Sequence, residues 1–228
     1  MKKPIFYTEL SYALGMVLIA FAAALTAKAD FGMSMVMAPP YILHLKLSEI
    51  FPWFTFGVSS YAFQGVLVLL TILLVGRFKW GYLFSFVTAV VHGFILDGMV
   101  WLVDFLPTHA LWMRLIYFAV GASVCSFAVA LFFHTYISPE AFELMVKELA
   151  EKWKFPIDRV KTAYDCISLL LSVALSFGFF GWGAMNGIGW GTLVCALVNG
   201  FLIGRFGKLL EKHFEFRDRF PLKKYFER

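Results

Sequence analysis

Four polar side chains lie near the middle of long apolar segments: Gln64, His92, Asp165 and Asn199. A charged group at the centre of a membrane helix costs about 2.5 to 3.5 kcal/mol on insertion scales, so such residues are expected to pair with one another or to serve a function. Imidazole and carboxylate groups can bind a polar solute or relay a proton. Together with Asp97, about one and a half turns beyond His92, they are the candidate substrate-binding residues.

An internal repeat relates these residues in pairs. Trp80-Gly81 recurs as Trp190-Gly191. A constant offset of 106 positions relates five residues of the first apolar segment to five of the fourth: Gly15, Phe21, Ala22, Ala24 and Leu25 to Gly121, Phe127, Ala128, Ala130 and Leu131. Extending the comparison pairs His92 with Asn199 and Gln64 with Asp165. Four polar groups at one depth resemble the midplane sites that inverted-repeat transporters build between their halves.

The lengths of the apolar segments predict how these groups are held. With 61% hydrophobic and 15% charged residues, the composition is typical of an integral membrane protein. A helix needs about 20 apolar residues to cross a bilayer, and six segments qualify: 9–29, 54–75, 81–103, 114–134, 159–181 and 189–210. Each half crosses three times, so the second should be inverted. The predicted fold is an all-α membrane protein with repeats at 1–106 and 107–212 and a tail at 213–228.

The basic residues predict the orientation of the chain. Of the 20 Lys and Arg residues, all but Lys28, Lys46 and Arg114 fall on the side of the N-terminus, which the positive-inside rule assigns to the cytoplasm. Both termini are therefore expected to be cytoplasmic. The first segment, preceded by Lys2 and Lys3, has an alternative interpretation as a signal peptide, although it is long for one.

The tail alternates basic residues with aromatic ones: Phe214, Phe216, Phe220, Tyr225 and Phe226. Basic residues beside a membrane attract anionic lipid headgroups, at about 1 kcal/mol each near the surface. The expected partner is therefore the lipid bilayer with its anionic headgroups, and not nucleic acid. A docking site for another protein is the alternative interpretation.

Each half also carries a short segment between its first and second apolar segments. In the second half, Ser138 and Pro139 are typical of a helix start, and apolar residues follow at helical spacing as far as Trp153. Two glutamate–lysine pairs lie on the other face: Glu143 with Lys147 and Glu148 with Lys152. This pattern predicts an amphipathic helix on the cytoplasmic surface. The counterpart at 34–51 predicts a short broken or partly re-entrant helix, with an ordinary interfacial loop as the alternative.

Small residues recur at every fourth position in the third segment of each half. They are Ala89 and Gly93 in the first half, and Ala196, Gly200 and Gly204 in the second. Such stripes allow membrane helices to approach closely. We expect these two helices to cross at the stripes.

Every candidate site residue also has a structural interpretation. Gln64 and Asn199 are typical of hydrogen bonds between membrane helices, and His92 can be a buried core residue with its hydrogen bonds made. The carboxylates can pair with nearby cations: Asp165 with Arg159 or Lys161, and Asp97 with Arg114. These alternatives stay open at the level of the sequence.

Several short motifs resemble a known family. They are Ala29-Asp30-Phe31-Gly32-Met33-Ser34 after the helix containing Gly15, Ile137-Ser138-Pro139-Glu140, Val160-Lys161 with Asp165, and Gly187-Ile188-Gly189-Trp190-Gly191-Thr192 before Asn199-Gly200. Over nearly the whole chain they resemble the bacterial YczE/YyaS/YitT-type membrane proteins. The resemblance implies a multi-pass protein of the bacterial inner (plasma) membrane and brings no established activity. Met35 stands where the second repeat has Pro139, so the two short segments are not expected to be identical in structure.

The motifs of the common enzyme classes are absent from the sequence: it has no His-Glu-x-x-His, no nucleophile elbow and no phosphate-binding loop. We expect no catalytic residues, no metal site and no cofactor. The first hypothesis is a small secondary transporter or channel-like carrier of a small solute, with access alternating between the two halves. The alternative is a non-transporting membrane binding subunit or assembly factor that uses the helix at 138–153 and the tail as contact surfaces. A homodimer with a pore between subunits is a third possibility.

Overall fold

A computed structural model describes residues 3–137 and 140–220. Within them the elements are β1 (Ile5–Tyr7), α1 (Thr8–Ala29), α2 (Ala38–Leu47), α3 (Phe56–Val75), α4 (Trp80–Asp104), α5 (Leu111–Phe132), α6 (Ala141–Trp153), α7 (Ile157–Phe180), α8 (Trp190–His213) and β2 (Glu215–Arg217). Six of these helices, α1, α3, α4, α5, α7 and α8, are long and apolar enough to cross a membrane. The chain is a helical, multi-pass membrane protein, as its sequence predicts.

Local sequence signals fix where the long helices begin and end. The Thr55 side chain accepts a hydrogen bond from the Val58 N–H at 3.1 Å and so caps the start of α3. Gly76 ends the same helix in the left-handed region at φ +71°, a conformation that glycine adopts without strain. Asp30 ends α1 in the same region, at φ 55°.

The bundle has two ends, which we call the terminal end, where α1 begins and α8 ends, and the opposite end. At the opposite end, the Arg114 guanidinium at the start of α5 donates to the carbonyl of Ala29 at 2.8 Å and to the Asp30 carboxylate at 3.1 Å. Lys28 pairs with Asp104 at 2.9 Å on the same side. The start of α5 is therefore tied to the end of α1, and the two helices run antiparallel.

α1 and α5 pack through a reciprocal pair of glycines. A Cβ at Gly15 would lie 3.0 Å from the Phe132 ring and 3.3 Å from the Ala128 carbonyl oxygen. A Cβ at Gly121 would lie 2.8 Å from the Thr26 side chain and 3.1 Å from the Ala22 carbonyl oxygen. These neighbours correspond as well, because Ala128 follows Ala22, and Phe132 follows Thr26, by the same 106 positions that separate the two glycines. Each helix therefore presents the same surface to the other.

The two motifs that frame the opposite end contact each other. The Gly191 N–H donates to the Phe31 carbonyl at 2.9 Å, and the Met33 N–H donates to the Gly187 carbonyl at 3.0 Å. A Cβ at Gly189 would collide with the Phe31 carbonyl. The glycines before α8 therefore allow close backbone packing against the turn after α1.

α6 is not a surface helix, which corrects the prediction from its amphipathic pattern. It packs against α3, α4 and α7, and its buried residues include Phe142, Val146 and Glu148. The predicted pair between Glu148 and Lys152 is not formed, because Glu148 instead contacts Lys79 and Tyr82 of the α4 start, each at 2.8 Å. Ser138 and Pro139, the predicted start, lie outside the described residues, and α6 begins after Glu140.

α2 is a continuous short helix that starts with its prolines. Pro39 and Pro40 occupy its first turn, where a missing N–H costs nothing, so they initiate the helix and do not break it. The Ser59 hydroxyl of α3 donates to the Pro40 carbonyl at 2.6 Å, and α2 packs against α3 and α7. Each short helix thus lies against the middle long helix of the other half, α2 on α7 and α6 on α3.

The expected crossing of the two small-residue stripes is wrong. Gly93 packs on α3, where its Cβ would lie 2.8 Å from the Gly57 carbonyl oxygen and 2.8 Å from the Tyr61 ring. Cβ atoms at Gly200 and Gly204 would have no heavy atom within 4 Å among the described residues. These two glycines line an open groove of about 490 Å³ on α8. Ala89 is fully buried, whereas Ala196 is exposed.

The ends of the chain form a small clasp, defined as β1, β2 and the residues up to Phe220. β1 and β2 pair in parallel, with Phe6 opposite Phe216, and the Phe6 ring lies 5.3 Å from that of Phe214. The Glu9 carboxylate accepts hydrogen bonds from the Tyr136 hydroxyl at 2.8 Å and from the backbone N–H groups of Arg219 and Phe220. The first tail aromatics therefore pack on the protein itself, whereas Tyr225 and Phe226 lie outside the described residues.

The contrast between the two stripes yields a first prediction. Gly93→Ala should lower the free energy of unfolding by about 1 to 3 kcal/mol, because the added methyl group forces α3 and α4 apart. Gly200→Ala, the matched control, should be neutral or slightly stabilising, since its methyl group meets open space and alanine favours a helix. Thermal unfolding in detergent compares the two variants. Equal changes in melting temperature would show that α4 does not pack on α3 in this way.

The clasp yields a second prediction. Glu9→Gln removes the charge that holds two backbone N–H groups and the Tyr136 hydroxyl, and hydrogen bonds to charged groups contribute about 1.5 to 3 kcal/mol. Amide hydrogen exchange at 214–220 should therefore become faster while the long helices keep their protection. Glu215→Gln is the control, since its carboxylate pairs with the exposed Arg217. Unchanged exchange in Glu9→Gln would contradict the assigned role of Glu9.

Candidate functional site

The start of α6 is held inside the bundle by one amide side chain. Gln64 is fully buried on α3, and its Oε1 accepts a hydrogen bond from the Ala141 N–H at 3.0 Å. Its Nε2 donates to Oε2 of Glu140, also at 3.0 Å. The amide therefore serves as the cap of α6 and as a ligand of the carboxylate that precedes it.

His92 of α4 faces the other oxygen of the same carboxylate. Its Nδ1 lies 3.4 Å from Oε1 of Glu140, but the two atoms do not form a hydrogen bond. Both His92 ring nitrogens and Oε1 of Glu140 lack a hydrogen-bond partner within residues 3–137 and 140–220. Since His92 is 1% exposed and Glu140 6% exposed, these polar atoms are buried without a partner among the described residues.

The cluster of Gln64, His92 and Glu140 lies at the middle depth of the long helices. Gln64 is eight residues from the start of α3 and eleven from its end. His92 has twelve residues of α4 on either side. At about 1.5 Å per residue, the cluster is roughly 12 to 18 Å from either end of these helices. α6 then runs from this depth to the terminal end, where Lys152 donates to the Leu74 carbonyl at the end of α3.

The electrostatics of the cluster depend on the Glu140 carboxyl group, which is buried and has no cation beside it in the described residues. In the described part of the chain, Glu140 makes no ion pair with Lys or Arg. Burial raises the pKa of Glu140, which precedes α6 and lies outside the six long helices, to about 7, although the hydrogen bond from Gln64 acts in the other direction. One turn above Gln64 on α3, the fully buried Ser60 has a hydroxyl with no partner among the described residues. The site can therefore hold a proton or a small polar group.

A second group of charges lies where α6 meets α7. Burial raises the pKa of Glu143 to about 7, while the charge of Lys161 lowers it and those of Glu140 and Asp165 raise it further. Lys161 pairs with Asp165 at 3.0 Å along α7. The structure therefore shows the predicted alternative for Asp165, a local ion pair, and this pair lies within electrostatic reach of the cluster through Glu143.

Asp97 lies apart from the cluster and supports the start of α3. Its carboxylate accepts a hydrogen bond from the Thr55 hydroxyl at 2.6 Å and one from the Gly57 N–H at 2.7 Å. A carboxylate at a helix N-terminus satisfies free N–H groups and interacts favourably with the helix dipole. Arg114, the partner weighed from the sequence, binds Asp30 instead.

Asn199 joins two helices of the second half. Its Oδ1 accepts a hydrogen bond from the Ser126 hydroxyl of α5 at 3.2 Å. This bond is the interhelical role that the sequence left open. Of the five candidate residues, the structure brings Gln64 and His92 together, and it places Asp97, Asp165 and Asn199 in separate local contacts.

Sequence reasoning missed the residue at the centre of the site. In the sequence Glu140 belongs only to a helix-start motif, and it lies outside the long apolar segments in which a charged residue indicates a buried site. Sequence reasoning also missed the buried face of α7 formed by Ser168, Ser172 and Ser176, although their spacing of four residues is a helical signal. The Ser172 and Ser176 hydroxyls donate to backbone carbonyls, so they need no ligand.

The remaining chemistry of the described residues is limited. In 3–137 and 140–220, no group of three or more His, Cys, Asp or Glu side chains is placed to hold a metal ion. An amide, an imidazole and a carboxyl group, all uncharged or sharing one proton, can bind and release a proton or orient a small solute by hydrogen bonds.

Comparison with known proteins gives a family but no activity. No curated protein and no solved structure matches the chain. A family model described as a family of unknown function (DUF6198) matches residues 6–208, and it makes no link to the YczE/YyaS/YitT-type proteins, which therefore remain a resemblance. The match spans α1 to α7 and most of α8, so the chain belongs to this family of unknown function.

Proposed function

We propose that the protein is a small secondary transporter or channel-like carrier of a small solute, with its binding site at Gln64, His92 and Glu140. The observation that carries the proposal is the buried carboxyl–imidazole contact at mid-depth, with Nδ1 of His92 3.4 Å from Oε1 of Glu140. Buried ionisable groups inside a membrane bundle mark substrate or proton pathways more often than they stabilise a fold.

Two inverted halves account for the pattern of helix contacts. The reciprocal packing of Gly15 and Gly121 is expected of two units related by a two-fold axis through α1 and α5. The same axis relates the packing of α2 on α7 to the packing of α6 on α3. In such proteins the substrate lies between the halves at mid-depth, which is where Glu140 is found.

Re-entrant short helices fit the same proposal. α6 begins at the depth of Gln64 and ends beside Lys79 and Val75 at the terminal end. A helix that starts inside the membrane presents its N-terminus to the site, as the interrupted helices of transporters do. The N-terminal turn of α6 and the Glu140 carboxyl group therefore face the same small region.

One difference between the halves supports a change of conformation. α3 packs closely along α4 through Gly57 and Gly93, whereas the equivalent helices α7 and α8 have no extended contact in the described residues. In an inverted-repeat carrier the two halves exchange conformations between states. The second state of this carrier would have α7 packed on α8 and α3 separated from α4.

The partner-binding alternative has less surface than the sequence suggested. Phe142, Leu144 and Leu149 of α6 are buried inside the bundle, and the first part of the tail is held in the clasp. Lys147 and Trp153 remain exposed, so a contact there is confined to the last turns of α6. No observation in the structure favours this alternative over transport.

The test of the proposal begins with ligand binding. A panel of small metabolites and ions is screened for thermal stabilisation of the purified protein in detergent, since a ligand at 100 times its Kd adds about 2.7 kcal/mol. We expect His92→Ala and Gln64→Leu to abolish the stabilisation by any ligand that is found. Asn199→Ala is the matched control and should keep it, because Asn199 bonds only across α5 and α8 in the described contacts.

Transport is then measured with the same solute. Wild-type protein in liposomes should take up the solute, and His92→Ala should not. Binding that survives in His92→Ala and Gln64→Leu would place the site elsewhere. Binding without uptake in the wild type would favour the non-transporting binding subunit.

A further inference from the structure

We infer that Glu140 is the proton-binding group of this protein: its carboxyl group takes up and releases one proton, with Gln64 bound to one oxygen and His92 beside the other. This inference deepens the proposed function, and its role in transport rests on that function. The proton site itself can be tested in the absence of any solute.

The charge balance at Glu140 favours the protonated form of its carboxyl group. The carboxyl group is 6% exposed and makes no ion pair with Lys or Arg in the described residues. An isolated buried carboxylate costs several kcal/mol, and such a group neutralises itself by binding a proton. Gln64 donates one hydrogen bond to Oε2, which leaves Oε1 as the free position for that proton.

Other ionisable groups lie around Glu140. On α1, Tyr12 interacts electrostatically with it, and the Tyr12 hydroxyl donates to Thr88. On α5, Cys125 interacts with it in the same way. On α6, Glu143 is a second acid, whose negative charge opposes ionisation of Glu140. On α7, Lys161 is a cation that interacts electrostatically with Glu143, and it pairs with Asp165.

The proton of Glu140 can move to His92. His92 is the ionisable group in contact with Oε1, at 3.4 Å from Nδ1. When the proton moves from Oε1 to Nδ1, an O–H bond breaks and an N–H bond forms, which leaves a carboxylate beside an imidazolium with no change in total charge. Return of the proton to Oε1 reverses this step, so the pair exchanges one proton between its two members. His92 is therefore positioned to accept the proton of Glu140.

Infrared spectroscopy of the detergent-solubilised protein tests the assignment. A protonated carboxylic acid has a carbonyl stretch that an ionised carboxylate lacks. We expect this band to persist at a pH where exposed carboxyl groups are ionised and to disappear on raising the pH. Because burial also raises the pKa of Glu143, both acids contribute to the band, and Glu140→Gln should remove the contribution of Glu140. Glu143→Gln, in the first turn of α6, is the matched control and should keep that contribution. A band that is unchanged in Glu140→Gln, or that is lost completely in Glu143→Gln, would overturn the assignment.

His92 gives a second readout that a structural role would not produce. In His92→Gln no imidazolium can stabilise the carboxylate, so the band of Glu140 should persist to higher pH than in the wild type. An unchanged titration midpoint would remove His92 from the proton site. His92→Gln also keeps the inference falsifiable if Glu140→Gln fails to fold. In that case, wild-type protein that contains glutamate labelled in its side-chain carboxyl group shows whether the band comes from glutamate.

The stability of the protein should follow the same proton. Burial raises the pKa of Glu140 from 4.5 to about 7 on folding, so between these values the folded state holds a proton that the unfolded chain has released. The free energy of unfolding should therefore fall as the pH rises through this window. Glu140→Gln should remove part of that slope, and an identical slope in both proteins would contradict the inference.

The two proposals fail in different ways. Absence of the infrared band with solute uptake intact would leave a carrier that uses another coupling ion or none, and would overturn only the proton site. A band that behaves as expected in a protein that binds and moves no solute would leave the proton site and overturn the carrier.

Discussion

A helix that begins inside an apolar bundle must find partners for its first N–H groups, and the hydrogen bond from Ala141 to Gln64 supplies one. An unpaired buried N–H would cost about 1 to 3 kcal/mol, so the amide stabilises the start of α6 at this depth by a similar amount. With its start fixed, α6 places Glu140 against His92 and brings Glu148 to Lys79. The site, the packing of α6 and the attachment of its far end thus follow from one buried amide.

The helix contacts of the first and second halves of the chain match in places and differ at the site. α1 and α5 present the same surface to each other through Gly15 and Gly121, and each short helix lies against the other half. At the starts of the short helices the symmetry ends, because α2 begins after Met37 and α6 after Glu140. A thioether cannot ionise, so the first half has no counterpart of the Glu140 carboxyl group at the start of its short helix.

Apolar length was enough to predict the long helices, whose ends differ from the predicted ones by at most three residues. It could not place α6, because an amphipathic pattern shows that one face is apolar and the other polar, and it does not show whether water or protein covers the polar face. Glu148 looked solvent-exposed in the sequence for this reason, and it is buried against Tyr82. Gln64 and His92 were found because isolated polar residues in apolar segments are rare, whereas Glu140 lay outside any such segment.

The clasp has a consequence for how the chain is made. β1 lies before the first long helix and β2 after the last, and a ribosome delivers them in that order. Ile5–Tyr7 therefore has no strand to pair with until Glu215–Arg217 has been synthesised, by which time all six long helices are available for insertion. Pairing of the two strands therefore reports that all the long helices have been synthesised, and a chain that stops before Glu215 would keep β1 without its partner strand.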